Sequence, residues 1–390
     1  MRFSYKGDWS KRKLNEICQF FKGNGLSKSD LSNEGFPCIL YGELYTTYKN
    51  EVISDIISKT NTTLSNPFLS RNNDLIIPGS GEDPIDIAVA RAIYHNDIIL
   101  GGDLNILRPK PNVSAAFLSY QLNGVRRYDI AKRAQGKSIV HLHNSDLKEV
   151  LISIPTYDEQ LHIVKLLTKI DEMIETQSKI IEETRSYINT IKEKLIYRNN
   201  NLNERCKISK IAKLRNGYSF KSDSYNEEGM FNIITISNVT GEYFININKC
   251  NKILEPPLDM QEHQKLKPND ILISLTGNVG RVSKVFNNNN LLNQRVGLLE
   301  VDNRFRDFVY HCLSSTRFEN DMISKSQGAA QKNIGNADVE SFIIPLTANL
   351  FELNKITFLL NKLEERYMLE MTILNKYLKQ KEYLLQNLFI

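Results

Sequence analysis

Residues 161–198, LHIVKLLTKIDEMIETQSKIIEETRSYINTIKEKLIYR, decide how the rest of the chain is read. One apolar series is Ile163, Ile170, Gln177, Thr184 and Ile191; the other is Leu167, Ile174, Ile181, Ile188 and Leu195. Eight of those ten positions are apolar, and neither Pro nor Gly interrupts them. The spacing predicts a helix with a narrow two-in-seven seam, which is a coiled-coil pattern; a helix lying on a globular core carries a wider stripe. About 35 helical residues extend roughly 50 Å.

The same seam returns 193 residues later, as Ile356, Leu363, Glu370, Tyr377 and Leu384 with Leu360, Tyr367, Leu374, Lys381 and Leu388. The residues expected to pair the helices are Ile163, Leu167, Ile170, Ile174, Gln177, Ile181 and Ile188 on the first, and Leu360, Leu363, Tyr367, Glu370 and Leu374 on the second. Gln177 and Glu370 hold equivalent places near the helix middles. In an antiparallel pair, polar residues there set register.

Outward from the helices, the segments before them also correspond. Lys13–Ile17 followed by Gly23 answers Lys207–Ile211 followed by Gly217. Phe36–Leu40 answers Phe231–Thr235, and Asp74–Ile77 answers Asp270–Ile273. Phe117–Tyr120 answers Phe308–His311, Ala134–Gly136 answers Ser326–Gly328, and Ile152–Pro155 answers Phe342–Pro345. The offsets run from 190 to 196 and never change order. A repeat of this period means one folding unit used twice.

Short β-rich runs bounded by turn residues lie at 36–41, 74–78, 97–100 and 104–107, and again at 231–237, 271–275, 281–286 and 296–301. The fold class is therefore α/β of the mixed α+β kind. Two tandem globules, 1–155 and 199–345, are each followed by a long helix, 156–198 and 346–390. Residues 198–205, RNNNLNER, form a polar linker. Two antiparallel coiled-coil helices joining like globules imply pseudo-twofold symmetry.

Composition narrows the function classes. Fifty Lys and Arg against 45 Asp and Glu give a net charge of +5, which allows a nucleic-acid partner without demanding one. Cys18, Cys38, Cys206, Cys250 and Cys312 are scattered and odd in number, against a disulfide framework or a zinc site. No apolar run spans a membrane and residues 1–10 lack a signal-peptide core, so a reducing cytoplasm is expected, with no membrane partner.

No catalytic constellation emerges. Gly79–Pro84 is Gly-rich after a strand but lacks the third Gly of a dinucleotide loop, and no Gly-Lys-Ser/Thr phosphate loop is present. His141 and His143 have no ligand cluster around them, and Glu255-Pro256-Pro257-Leu258 has the wrong outer residues for an amino-methyltransferase motif. No metal and no directly bound cofactor are expected. The loops instead carry groups suited to DNA: Arg126, Arg127, Lys132, Arg133, Lys137 and Ser138 in the first globule, and Thr276, Asn278, Arg281, Gln327, Gln331 and Lys332 in the second. Arg, Asn and Gln read purine edges in the major groove, while Lys, Ser, Thr and Gly-rich backbone suit phosphates. Tyr41, Gly42 and Glu43 occupy a strand-to-loop position equivalent to Ser237 and Asn238, and are further candidates.

With those residues in view, the chain resembles the specificity subunit of type I restriction–modification systems. The resemblance covers nearly its whole length. It rests on the tandem layout and on Gly7-Asp8-Trp9, Gln135-Gly136, Gln327-Gly328, Thr276–Arg281, Asn293–Gly297, and Ile154-Pro155 leading to Glu159-Gln160. The second half departs from the last signature, since no Glu-Gln pair follows Pro345. The resemblance implies two target recognition domains, each reading half of a bipartite, asymmetric site in double-stranded DNA. It implies a helix pair that spaces them and docks two methyltransferase (modification) subunits, which hold S-adenosylmethionine and methylate adenine N6. Restriction/translocase subunits would complete the complex, and this chain would be non-catalytic by itself. The alternative is a coiled-coil adaptor whose globules bind protein partners.

Overall fold

The computed structural model describes residues 9–326 and 333–389. The chain divides into two compact units, Met1–Ser178 with Ile373–Ile390, and Lys179–Thr372. Each consists of a globule and one segment of each long helix.

In the first unit, a five-stranded sheet runs in the order Cys18–Lys22, Leu104–Pro109, Asp74–Pro78, Arg91–Ile93, Val52–Ile53. All its pairings are antiparallel except the last. A four-stranded sheet holds Ile99–Leu100, Phe36–Ile39, Ser58–Thr60 and Leu31–Ser32. The second unit repeats the plan. Ala212–Asn216, Val296–Val301, Ile271–Ser274 and Val282–Lys284 form one sheet, and Asn251–Ile253, Phe231–Ile234, Asn290–Leu292 and Lys265–Leu266 the other. Phe36–Ile39 runs parallel to Ile99–Leu100, and its counterpart Phe231–Ile234 runs parallel to Asn290–Leu292.

The repeated sequence motifs have local physical reasons. Asn73 and Asn269 both adopt left-handed backbone, φ 69° and 72°, which Asn tolerates better than most residues. The next residues, Asp74 and Asp270, each accept the backbone N–H three positions back, from Arg71 and Lys267, at 2.8 and 2.7 Å. Gly23 and Gly217 mark equivalent strand exits. A Cβ there would stand 2.0 Å from the Gly101 carbonyl oxygen and 2.3 Å from that of Asn293.

The long helices are Tyr157–Lys192, extended through 193–197, and Leu350–Asn387. Within the first unit their segments run antiparallel. Ile163 and Leu167 share a core with Leu388 and Phe389, while Asp171 meets Lys381. Within the second, Ile196 shares a core with Leu353 and Ile356, Lys192 meets Glu364, and Arg185 lies over Tyr367. Of the seam residues, Ile163, Leu167, Ile170, Gln177, Ile181, Ile188, Leu360 and Tyr367 are buried; Ile174, Leu363, Glu370 and Leu374 are half-buried.

The seam shifts near the end of the first helix. Lys192 and Ile196 are buried where the heptad series names Ile191 and Leu195, which are half-buried. The burial steps become four and four from Ile188, and residues 193–197 form a π-type turn. That wider turn rotates Ile196 onto the second globule's core.

The Glu159-Gln160 pair now has a role. Glu159 accepts the Trp9 indole N–H at 2.9 Å. Gln160 accepts the backbone N–H of Ser114 at 3.0 Å and donates to the Pro155 carbonyl at 3.1 Å. Ser114 in turn caps the helix Ala115–Asn123. Two distant signatures thus weld the first long helix to its globule. The second long helix starts differently, with Asn349 accepting the backbone N–H of Phe351 at 3.1 Å.

Candidate nucleic-acid interface

In each unit the Gly-rich loop after the central strand is held beside the segment that follows the Gln-Gly pair. In the first, Ser80–Gly81 pairs antiparallel with Val140–His141, and Leu142 donates to the Gly79 carbonyl at 2.9 Å. In the second, Thr276 bridges Asn333, and Ile334 donates to the Leu275 carbonyl at 2.9 Å. The pairings join segments roughly 60 residues apart, so sequence spacing alone does not reveal them.

Gln135 and His141 exchange backbone hydrogen bonds of 2.9 and 2.7 Å, closing a tight loop over 136–140. Gly136 has φ 139°, and a Cβ on it would lie 2.0 Å from the Ile139 carbonyl oxygen. Only glycine fits there. Lys137 and Ser138 stand exposed on this tip, and Ile139 is 57% exposed beside them. The basic run divides otherwise. Arg126 pairs with Asp129 at 3.3 Å, Arg127 donates to the Ile85 carbonyl at 3.1 Å, and Arg133 approaches the Glu149 carbonyl at 3.5 Å. The guanidinium groups of Arg126 and Arg127 also have their Nε atoms buried without a partner.

In the second unit the tip at 275–280 is closed by Ser274 N–H to the Arg281 carbonyl and Gly280 N–H to the Ser274 carbonyl, 2.9 and 3.0 Å. Gly277 and Gly280 supply the left-handed turns, φ 71° and 79°. Asn278 projects from the tip, exposed, while Val279 anchors it in the core. Arg281 is half-buried, 4.0 Å from Glu319, and the Thr276 hydroxyl is buried without a partner. Gln327, Gln331 and Lys332 lie outside the described residues.

The equivalent strand-to-loop candidates face inward. Asn238, 4% exposed, accepts the Thr235 backbone N–H at 2.8 Å and donates to the Asn246 carbonyl at 2.8 Å and to Cys250 Sγ at 3.1 Å. Burial pushes the Cys250 thiol up to about 11. Glu43 holds the Leu40 backbone N–H at 2.7 Å and accepts the Ser58 hydroxyl. Both side chains close a turn three residues after its start, and neither presents a free polar edge. Tyr41 and Gly42 line a cavity of about 570 Å³ floored by Leu26, Leu31 and Leu40.

Two lysines absent from the candidate residues, each ion-paired with a buried carboxylate, complete the platforms. In the first unit Lys381 lies 2.6 Å from both Glu51 and Asp171, and Asp171 accepts the Tyr120 hydroxyl at 2.6 Å. Burial pulls the Lys381 ammonium down, but Glu51 and Asp171 outweigh it and its pKa is raised. In the second, Lys192 lies 2.7 Å from Glu364 and donates to the Ser314 hydroxyl at 2.9 Å. A lysine at seam position 381 was the one available signal. Asp171, Glu364 and Lys192 sit one residue off the heptad series.

Among the described residues, no group of three or more His, Cys, Asp and Glu side chains is placed to hold a metal. No helix among them is long and apolar enough to cross a membrane. The family model "Type I restriction modification DNA specificity domain" matches residues 6–184 and 201–376. A putative type I restriction enzyme MjaX specificity subunit of Methanocaldococcus jannaschii is 24% identical over 381 residues, covering 87% of this chain and 83% of the relative. The MjaVIII specificity subunit of the same organism is 21% identical over 365 residues, covering 87% and 82%. The solved S subunit of the type I system of M. genitalium superposes with TM-score 0.64 at 17% identity, covering 100% of this chain and 98% of that one. A chain from work on complex assembly and conformational transition of the type I R-M system gives 0.58 at 14% identity, covering 98% of both chains. These structural likenesses concern the fold.

Proposed function

Because the chain belongs to the type I restriction–modification DNA specificity domain family, we propose that each unit reads one half of a bipartite, asymmetric DNA site. The observation that carries this is the duplicated platform, in which a Gly-rich hairpin and the post-Gln-Gly segment are held together twice on matching sheets. The matching scaffold with different tips, Lys137-Ser138 in one and Asn278 in the other, suits two modules reading different sequences.

An exposed amide such as Asn278 suits a purine edge, and an exposed ammonium such as Lys137 suits a phosphate. Glu43 and Asn238 act as turn closures in this reading, and the division at 1–155, 156–198, 199–345 and 346–390 serves as recognition domain, spacer, recognition domain and spacer. The helix pair sets the half-site spacing and docks two methyltransferase subunits, which supply S-adenosylmethionine and the methyl transfer; restriction subunits join through them. The chain itself contributes recognition without catalysis, in the cytoplasm.

The test is single-molecule methylome sequencing of a host expressing the chain with its modification subunit. Two short motifs at fixed separation are expected. Replacing Met1–Pro155 with the equivalent part of a relative should change one motif only. A change in both motifs, or no motif at all, defeats the proposal.

A further inference from the structure

The second unit contains a groove beside the end of the first long helix. Two cavities of about 430 and 260 Å³ share Asn189, Ser315 and Thr316 in their walls, so they adjoin. One also takes in Lys194, Arg198 and Arg317; the other takes in Arg281 and Gly280. The groove therefore begins at the recognition hairpin and continues onto the long helix.

The charge balance within it is positive. Lys192 is spent on Glu364, and Arg185 is divided between Glu242 and Glu364, each at 3.9 Å. That leaves Lys194, Arg198, Arg281 and Arg317 facing two carboxylates. Glu193 is shared by Arg317 at 2.8 Å and Arg198 at 3.6 Å, and Glu319 lies 4.0 Å from Arg281. Lys194 is exposed. The helix Thr316–Lys325, capped by Ser315, opens into the same walls. Its first-turn N–H groups add to the amide donor of Asn189. Guanidinium forks, an ammonium and neutral donors in one groove suit a run of anionic oxygens.

The first unit is built differently at the matching turn. Gly124 packs directly on the second long helix, where a Cβ would lie 2.6 Å from the Leu385 carbonyl oxygen. At the matching turn of the second unit the long helix is reached through side chains, Lys192 donating to the Ser314 hydroxyl and the Tyr197 hydroxyl to the Cys312 carbonyl, both at 2.9 Å.

We propose that this groove carries backbone phosphates of the duplex flanking the half-site read by the second unit. The inference rests on the DNA reading above. It adds a sequence-independent contact path to a loop that reads bases.

The test measures binding of the full chain, co-purified with its modification subunit, to a random duplex of about 40 bp across roughly 50–300 mM KCl. The slope of log affinity against log salt should fall by about 0.9 for Lys194→Gln and about 1.8 for Arg198→Gln with Arg317→Gln, alike for every sequence. Arg317 also stacks on Tyr197 at 4.4 Å, so the exposed Lys194→Gln variant guards against a folding effect. Unchanged slopes with the wild-type sequence preference intact overturn the groove and leave the DNA reading standing. Unchanged slopes with loss of the modification subunit assign the groove to a protein and overturn it too. A wild-type complex with no salt-dependent binding overturns both.

Discussion

Replacing Lys192 by Met should destabilise the second unit by about 3–5 kcal/mol, because it strands a buried carboxylate. The side chains of Lys192 and Glu364 are 3% and 1% exposed, with nitrogen and oxygen 2.7 Å apart. Burial lowers the Lys192 pKa, and Glu364 opposes that shift, so neither charge is comfortable alone. After the substitution, Glu364 keeps only Arg185 at 3.9 Å, and its Oε2 already lacks a hydrogen bond. Glu364→Gln should be milder, about 1.5–3 kcal/mol, since Lys192 retains the Ser314 hydroxyl and the face of Tyr310 at 5.8 Å. Replacing both, Lys192→Met with Glu364→Leu, should return stability to within about 1 kcal/mol of wild type, because the desolvation cost of both charges disappears. The assay is native-state hydrogen exchange followed on peptides covering 185–197 and 353–367. Tryptophan emission cannot serve, since the single Trp is Trp9. If the double variant loses the sum of the single losses, the pair is not a coupled buried unit and the reasoning fails.

Further outcomes follow from other sites. His311 is fully buried with Nε2 on Asn361 at 2.7 Å; burial, reinforced by Lys192, holds its pKa well below 6.5. The unfolded chain therefore takes up that proton first. The contribution of His311 is full above about pH 6.5 and falls by up to about 1.4 kcal/mol per unit on acidification, a slope that denaturant titrations should find missing in His311→Gln. Gly280→Ala should cost about 1–3 kcal/mol in thermal melts, since its φ is 79° and a Cβ would meet Met322 Cβ at 2.8 Å. Glu159→Ala should shift Trp9 emission and lower stability by about 1–3 kcal/mol, whereas an unshifted spectrum would mean the indole contact is dispensable. On DNA, Asn278→Ala should relax one position of one half-site by about 1–3 kcal/mol, while Lys137→Ala should weaken all sequences equally, as read by competition binding.

The seam of 163–195 and its return at 356–388 were legible because a heptad is a local pattern, and the corresponding strands were legible because short β-rich runs bounded by turn residues recur in the same order. Through-space partners were not. Nothing in the spacing says that Ser80 lies against His141, or that Thr276 lies against Asn333. Asn238 and Glu43 look like exposed readers by residue type, yet each turns back to close its own loop, a choice set by an intervening turn rather than by composition. Gln177 and Glu370 stand out as polar seam residues by heptad counting, whereas the buried contacts Asp171–Lys381 and Lys192–Glu364 involve three residues that lie one position off the series. Heptad counting passes over Lys192 because the buried face takes a four-residue step from Ile188 where the series takes three, ahead of the π-type turn at 193–197.

Those ion pairs also explain how two modules can differ at their tips and stay equivalent beneath. Asp171 and Glu364 are 193 residues apart, the offset of the helix repeat, and so are Thr168 and Asn361. In the first unit Tyr120 reaches Thr168 at 3.3 Å and Asp171 at 2.6 Å; in the second His311, the match of Tyr120, reaches Asn361 at 2.7 Å. Both partners of the Tyr120–Thr168 contact have changed identity, and His311–Asn361 stands at the matching place. The acid comes from the first long helix in one unit and from the second in the other, with the lysine supplied by the opposite helix each time. A buried lysine needs its acid within hydrogen-bond reach, so these pairs penalise any displacement of one helix segment along the other far more than apolar contacts do. The exposed tips touch none of this network. Substitutions at Lys137, Ser138 or Asn278 therefore leave the platform intact, which is the physical condition for a recognition module to change what it reads without losing its fold.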